Sequence, residues 1–195
     1  QFYPRSLNVG PLQNTFAAER SDGRLRVFVL GGSAAMGFPH KNHGVDRLLA
    51  TQLRALFPKR DVEVVNTAMT SVNSHVVYQV AQTLPSESAD VAVILMGNNE
   101  VVGPYGPGTF NQNFRSSLSA IRALQALKRT RLWQLVDSSL AEVQSSDAKA
   151  DLEWQGMQMF VDNGVAEDDP RMSAVYKHFE GNLRDIVDTL NAKGM

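Results

Sequence analysis

The chain has 195 residues, of which 43% are hydrophobic and 20% charged, with a formal net charge of −1. These values fit one folded domain with its own core, and with no basic block in the sequence they argue against nucleic acid or an anionic membrane as a partner. Cysteine is absent, which excludes disulfide staples, thiol catalysis and zinc–thiolate sites.

No apolar run reaches the ~18 residues of a membrane span. The sequence opens on Gln1 rather than methionine. It therefore reads as a processed or shortened product, and removal of a targeting segment would fit an extracytoplasmic or membrane-associated location. Residues 1–23 read as an irregular arm, because Pro4, Gly10 and Pro11 interrupt any period. Phe2, Tyr3 and Phe16 are the side chains available to pin that arm to the body.

Residues 24–30 form a first strand whose near-continuous apolarity implies burial on both faces, as in a parallel sheet. It ends in Gly31-Gly32-Ser33, followed by small residues as far as Gly37. A loop with His40, Lys41 and His43 leads to a helix over 44–57, with Val45, Leu48, Leu49, Leu53 and Leu56 on one face and Pro58 as its stop. The β-branched run at 61–67 is a second strand. Asn73 and Ser74 then cap a helix carrying Val76, Val77, Val80 and Leu84. Residues 91–96 form a third strand that runs into Gly97-Asn98-Asn99-Glu100.

This β-α-β-α-β order predicts a parallel sheet with right-handed crossovers. The stretch 101–109 is rich in glycine and proline and reads as a rigid, exposed loop. Helices follow over 114–127 and 132–143, then a polar linker at 144–149 and an apolar cluster of Trp154, Met157, Met159 and Phe160. The last helix opens with Asp169 as cap and Pro170 in its first position, and it stops at Gly194. Its expected inner face is Met172, Val175, Tyr176, Phe179, Leu183, Ile186, Val187 and Leu190. The α/β alternation calls for a further strand after that helix, so the expectation is a partial domain whose third strand lies on an edge. Residues 24–195 are taken as that domain, with 101–168 a helical insertion or lid over an apolar substrate.

Three strand ends thus converge on one rim, and the chemistry that fits is acyl transfer. A serine there needs a base for its proton, and the tetrahedral oxyanion needs donors placed for it. Ser33 is the candidate nucleophile. The backbone N–H groups around Ser33 and Ala68 and the side-chain amide of Asn99 are the candidate donors.

These blocks resemble the SGNH (GDSL-type) hydrolase family. Its first block resembles Gly31-Gly32-Ser33 with Gly37 beyond, and its second resembles Val65-Asn66-Thr67-Ala68, with Ala68 where the family usually has glycine. Its third block, Gly-x-Asn-Asp, resembles Gly97-Asn98-Asn99-Glu100 with glutamate last. The resemblance implies a flavodoxin-like three-layer α/β/α sandwich and hydrolysis of carboxylic esters, acyl or acetyl, without metal or cofactor. By that resemblance Ser33 is the nucleophile and first oxyanion ligand, and Asn99 the side-chain oxyanion donor. The family's Asp-x-x-His block has no match in the chain, so the general base and its carboxylate are expected outside it. A second polypeptide or a missing C-terminal segment would then complete the sheet.

Two other readings compete with this one. The turn at 31–37 could nest a phosphate or nucleotide. However, GxGxxG is absent, Phe38 stands where a P-loop needs lysine, and no acidic residue ends the second strand. The other is a non-catalytic SGNH-like binding or scaffold module. His40 and His43 read as loop residues, His75 as structural near a helix start, and His178 as lying at a helix surface or half-buried. None of them has a carboxylate partner by spacing.

Overall fold

β1 (Arg24–Gly31) is the central strand of a three-stranded sheet in the order β2-β1-β3. A computed structural model of the chain describes residues 14–109, 114–131, 133, 135 and 164–195. The helix expected at 132–143 lies almost wholly outside these residues, and the linker at 144–149 and the Trp154–Phe160 cluster lie entirely outside them. β2 (Asp61–Asn66) and β3 (Val91–Leu95) both run parallel to β1, with Arg24 opposite Asp61 and Val27 opposite Val91. The crossovers carry α1 (Ser33–Met36), a 3₁₀ turn at Lys41–His43, α2 (Val45–Leu56) and α3 (Ser74–Thr83). α4 (Leu118–Lys128) and α5 (Met172–Ala192) follow. The architecture is an α/β sandwich built on the parallel sheet that the alternation implied, consistent with the flavodoxin-like fold expected from the resemblance.

The period of two along β1 divides the core. Val27 and Val29 face α2 together with Leu25, packing on Leu49, Leu53 and Val64. Phe28 and Leu30 face the other way, onto Val76, Val77, Ile186 and Leu190 of α3 and α5. On that second side Arg26 has no exposed surface, so the strand is less uniformly apolar than its neighbours suggest. Phe16 explains how an arginine is accommodated, because its ring meets Phe28 edge-on at 5.2 Å and lies 5.3 Å beneath the guanidinium. The arm is pinned as expected at this residue. Phe2 and Tyr3 lie outside the described residues.

β3 is on the edge, with Val91 and Leu95 exposed. α5 ends in a Schellman arrangement: the Met195 N–H donates to Leu190 O at 3.1 Å, and the Gly194 N–H to Asn191 O at 3.0 Å. Gly194 adopts φ 76° to close it. At the other end the helix starts later than expected. Arg171 holds the cap position, while the Asp169 carboxylate takes the Arg171 N–H at 2.8 Å and so closes only the preceding turn.

Three further expectations are corrected. The stretch 103–106 is buried rather than exposed, because it is folded against the start of α3. α4 begins at Leu118 rather than at 114, with Ile121 and Gln125 inward and Leu127 exposed. α5 buries Val175, His178, Asn182, Ile186 and Leu190, so Tyr176 and Val187 face solvent and His178 is interior. The inward face of α5 is set by polar partners on α3 and α4, which hydrophobic periodicity does not register.

Candidate active site

Because all three strands are parallel, their carboxyl ends share one rim, where ligands collect in open α/β sheets. Ser33 begins α1 there, directly after the Gly31-Gly32 turn, and is half-buried. A Cβ on Gly31 would lie 2.0 Å from Leu95 O and 2.7 Å from Ala35 Cβ, so only glycine lets β1 pass between β3 and α1.

Ala68 is buried, and its N–H donates to Asn66 Oδ1 at 3.0 Å. Asn66 Nδ2 in turn donates to Ala35 O at 2.9 Å. One asparagine thus locks the loop after β2 onto the helix that Ser33 begins.

Asn99 stands over the turn. Its Nδ2 donates to Val72 O at 2.9 Å, and a Cβ on Gly32 would meet that nitrogen at 3.3 Å. Val72 O can only accept, which fixes the amide with its NH₂ group toward Gly32. The second hydrogen of that group has no acceptor among the described residues. Ser33 and Asn99 are therefore brought together, with one amide hydrogen unspent among the described residues beside the peptide that precedes the serine.

Among the described residues no side chain hydrogen-bonds Ser33 Oγ. His40 and His43 are exposed, their rings 6.2 Å apart on the loop beyond α1. Nor does any group of three His, Asp or Glu side chains among the described residues form a metal site.

A second polar cluster, which sequence reasoning missed, lies against this rim. Glu100 is buried, and its carboxylate accepts the Ser74 N–H at 2.9 Å and the Ser74 hydroxyl at 2.6 Å. α3 is therefore capped across space by Glu100. Asn73 holds the cap position without a side-chain cap bond and donates instead to Pro104 O at 2.9 Å. Asn182 of α5 donates to Ser74 Oγ at 2.8 Å and to His75 Nδ1 at 3.1 Å, while its Oδ1 accepts from Arg122 of α4 at 2.7 Å.

The bond from Arg122 fixes the Asn182 amide, and the amide fixes the other donors. His75 Nδ1 must accept, and the Ser74 hydroxyl must point to Glu100. The donors run one way, from a cation at Arg122 through Asn182 and Ser74 to the Glu100 carboxylate, so each bond polarises the next. Burial pushes the Glu100 carboxyl above its usual range, against the two bonds from Ser74 that hold it down. Burial, with His178 and Arg122 nearby, pushes His75 down to about 3. Tyr105 closes over the His75 ring at 5.4 Å from a left-handed backbone of φ 66°.

The signal that could have found this cluster was the interruption of the apolar face of α5 by His178 and Asn182, four residues apart.

No family model matches the chain. No curated protein matches it either. Among solved structures it is similar to a crystal structure of AlinE4, an SGNH-hydrolase family esterase. Identity is 17%, with 88% of this chain and 99% of that chain covered and a TM-score of 0.35. It is also similar to a crystal structure of TesA at 21% identity, covering 86% of this chain and 99% of that one with a TM-score of 0.34.

Proposed function

We propose that this chain carries the nucleophile and oxyanion donor of a serine esterase acting on acyl or acetyl esters. One observation carries the proposal: the Asn99 amide stands over the Gly32-Ser33 turn with a hydrogen that no described residue accepts. In the reaction Ser33 Oγ attacks the ester carbonyl, and its proton passes to a base. The oxyanion accepts from Asn99 Nδ2 and from the Ser33 N–H, which the first turn of α1 leaves without an intrahelical acceptor. Collapse expels the alcohol, and water hydrolyses the acyl-serine. Ala68 contributes only by sharing its N–H between Asn66 Oδ1 and the oxyanion. The scheme uses no metal or cofactor.

The base and its orienting carboxylate are assigned to polypeptide outside this sequence, on a second chain or a further segment that also pairs with β3. Of the lid expected at 101–168, residues 103–106 and α4 are packed into the body, and most of the stretch beyond 131 lies outside the described residues. Labelling of the complete protein by a fluorophosphonate tests the reading. Only an activated serine reacts, and Ser33→Ala should abolish the adduct.

A second reading, a non-catalytic binding module, is favoured by the Ala68 N–H already being bonded to Asn66. It requires no labelling together with saturable retention of an ester or acyl ligand.

A further inference from the structure

Two segments at the rim are stitched together bond by bond. The Val72 carbonyl receives the Asn99 amide, the Ser74 N–H and hydroxyl reach the Glu100 carboxylate, and the Asn73 amide reaches the Pro104 carbonyl. The Gly103 N–H then folds the loop back onto Asn99 O at 2.7 Å. A Cβ at Gly103 would lie 2.6 Å from that oxygen and 2.8 Å from Asn73 Cβ, so the two segments touch at van der Waals distance.

Within this stitching Glu100 makes the only charge-assisted contact, and the donors it accepts belong to a serine with no exposed surface. Asn99, by contrast, is half-buried, its amide held only by the bond to Val72 O and by a long bond of 3.4 Å from the exposed Asn98 Nδ2 to its Oδ1. The peptide joining residues 99 and 100 passes the order of the buried clamp to the half-buried amide.

We propose that Glu100 is a positioning residue, whose clamp on Ser74 aims the Asn99 amide at the oxyanion formed on Ser33. The clamp extends further than the rim, because Ser74 is itself held by Asn182, and Asn182 by Arg122. Packing of α4 and α5 thereby reaches the oxyanion site through one ordered row of hydrogen bonds. Glu100→Gln keeps the size of the side chain but sets an NH₂ group against one of two buried donors. The clamp is then half undone without leaving a cavity.

This assignment rests on the esterase reading, so its test has two readouts. In the complete protein, Glu100→Gln should lower the limiting rate of Ser33 labelling about tenfold, a fraction of the 10²–10³ that losing an oxyanion donor costs, with little change in half-saturation. Asn99→Ala should lower it at least as far, and the double variant should be no slower than Asn99→Ala alone. Multiplicative losses in the double variant would overturn the proposal, because a merely structural Glu100 acts independently of Asn99.

Hydrogen exchange gives the readout that does not depend on activity. In Glu100→Gln the Gly103 N–H should lose protection about tenfold while the amides of β1 keep theirs. Unchanged Gly103 protection overturns the clamp whatever the labelling shows. Loss of Gly103 protection in a protein whose Ser33 never labels leaves the clamp standing and overturns its catalytic meaning together with the esterase reading.

Discussion

Arg26 Nε lies 2.6 Å from Glu63 Oε2, and the arginine has no exposed surface although it sits in the central strand. Its NH1 donates to Ala17 O at 2.8 Å and Ser88 O at 2.9 Å, so one guanidinium joins the arm, β2 and the loop before β3. Glu63→Ala leaves that charge in the core without its counterion. We expect a loss of about 2 kcal/mol, below the usual penalty for halving a buried pair because Glu63 is partly open to water. Urea denaturation should show a lower midpoint with an unchanged slope, and a midpoint equal to wild type would refute the expectation.

Gly31→Ala tests the passage of β1 between Leu95 and α1. The added methyl would sit 2.0 Å from a backbone oxygen that cannot rotate away. We expect at least about 3 kcal/mol of destabilisation in the same assay, or no soluble folded protein. A stable variant would mean that the strand end is not where it has been placed.

At Gly32 the nearest obstacle to a methyl group is the Asn99 amide at 3.3 Å, a side chain that can yield by a few tenths of an ångström. Gly32→Ala should therefore fold and yet slow Ser33 labelling by about tenfold through displacement of the oxyanion donor. Ser33→Ala should abolish labelling with stability within about 0.5 kcal/mol of wild type. Full labelling in Ser33→Ala would move the nucleophile elsewhere.

His75 makes stability depend on pH. It is neutral in the fold down to about pH 3, whereas its ordinary value in the unfolded chain is 6.5. Between those values the unfolded state binds a proton that the folded state refuses, so stability rises with pH across the window and falls as acid is added. The slope for one such group is at most about 1.4 kcal/mol per pH unit. His178, also lowered by burial, adds in the same direction. Glu100, raised by burial above 4.5, acts oppositely, because above that value the unfolded chain releases its proton first. His75→Gln, which still offers an acceptor to Asn182, should reduce the loss of stability between pH 6.5 and 4.5. An identical pH profile would show that His75 is not the group responsible.

Much of the fold could be read from runs of one residue class. Val62, Val64 and Val65 marked β2, Pro58 closed α2, and Gly194 marked the end of α5. The rim was equally legible, since a strand followed by Gly31-Gly32-Ser33 leaves little choice about where the hydroxyl goes. What periodicity could not convey was burial earned by hydrogen bonds. His178 and Asn182 have polar side chains, yet they occupy the inner face of α5 because Arg122, Ser74 and His75 satisfy them. The loop at 103–106 looked exposed because glycine and proline usually mark surface turns. Here the missing side chain of Gly103 lets the loop approach Asn73 and Asn99 closely enough to be interior.

α5 lies on one face of the sheet and runs along the strand direction from one end to the other. Near one end, a methyl added at Gly97 on the Ser33 rim would meet the Phe179 ring at 3.5 Å. At the other end, the Lys193 carbonyl accepts the Glu87 N–H at 2.7 Å, just before β3 begins. From Phe179 to the last turn the axis advances roughly 20 Å at 1.5 Å per residue. The helix is thus a built-in ruler. A fluorophore attached beside Met195 would stand at a fixed distance from an emitter carried on an acyl-serine, far enough not to disturb it and close enough for energy transfer to report its arrival and release.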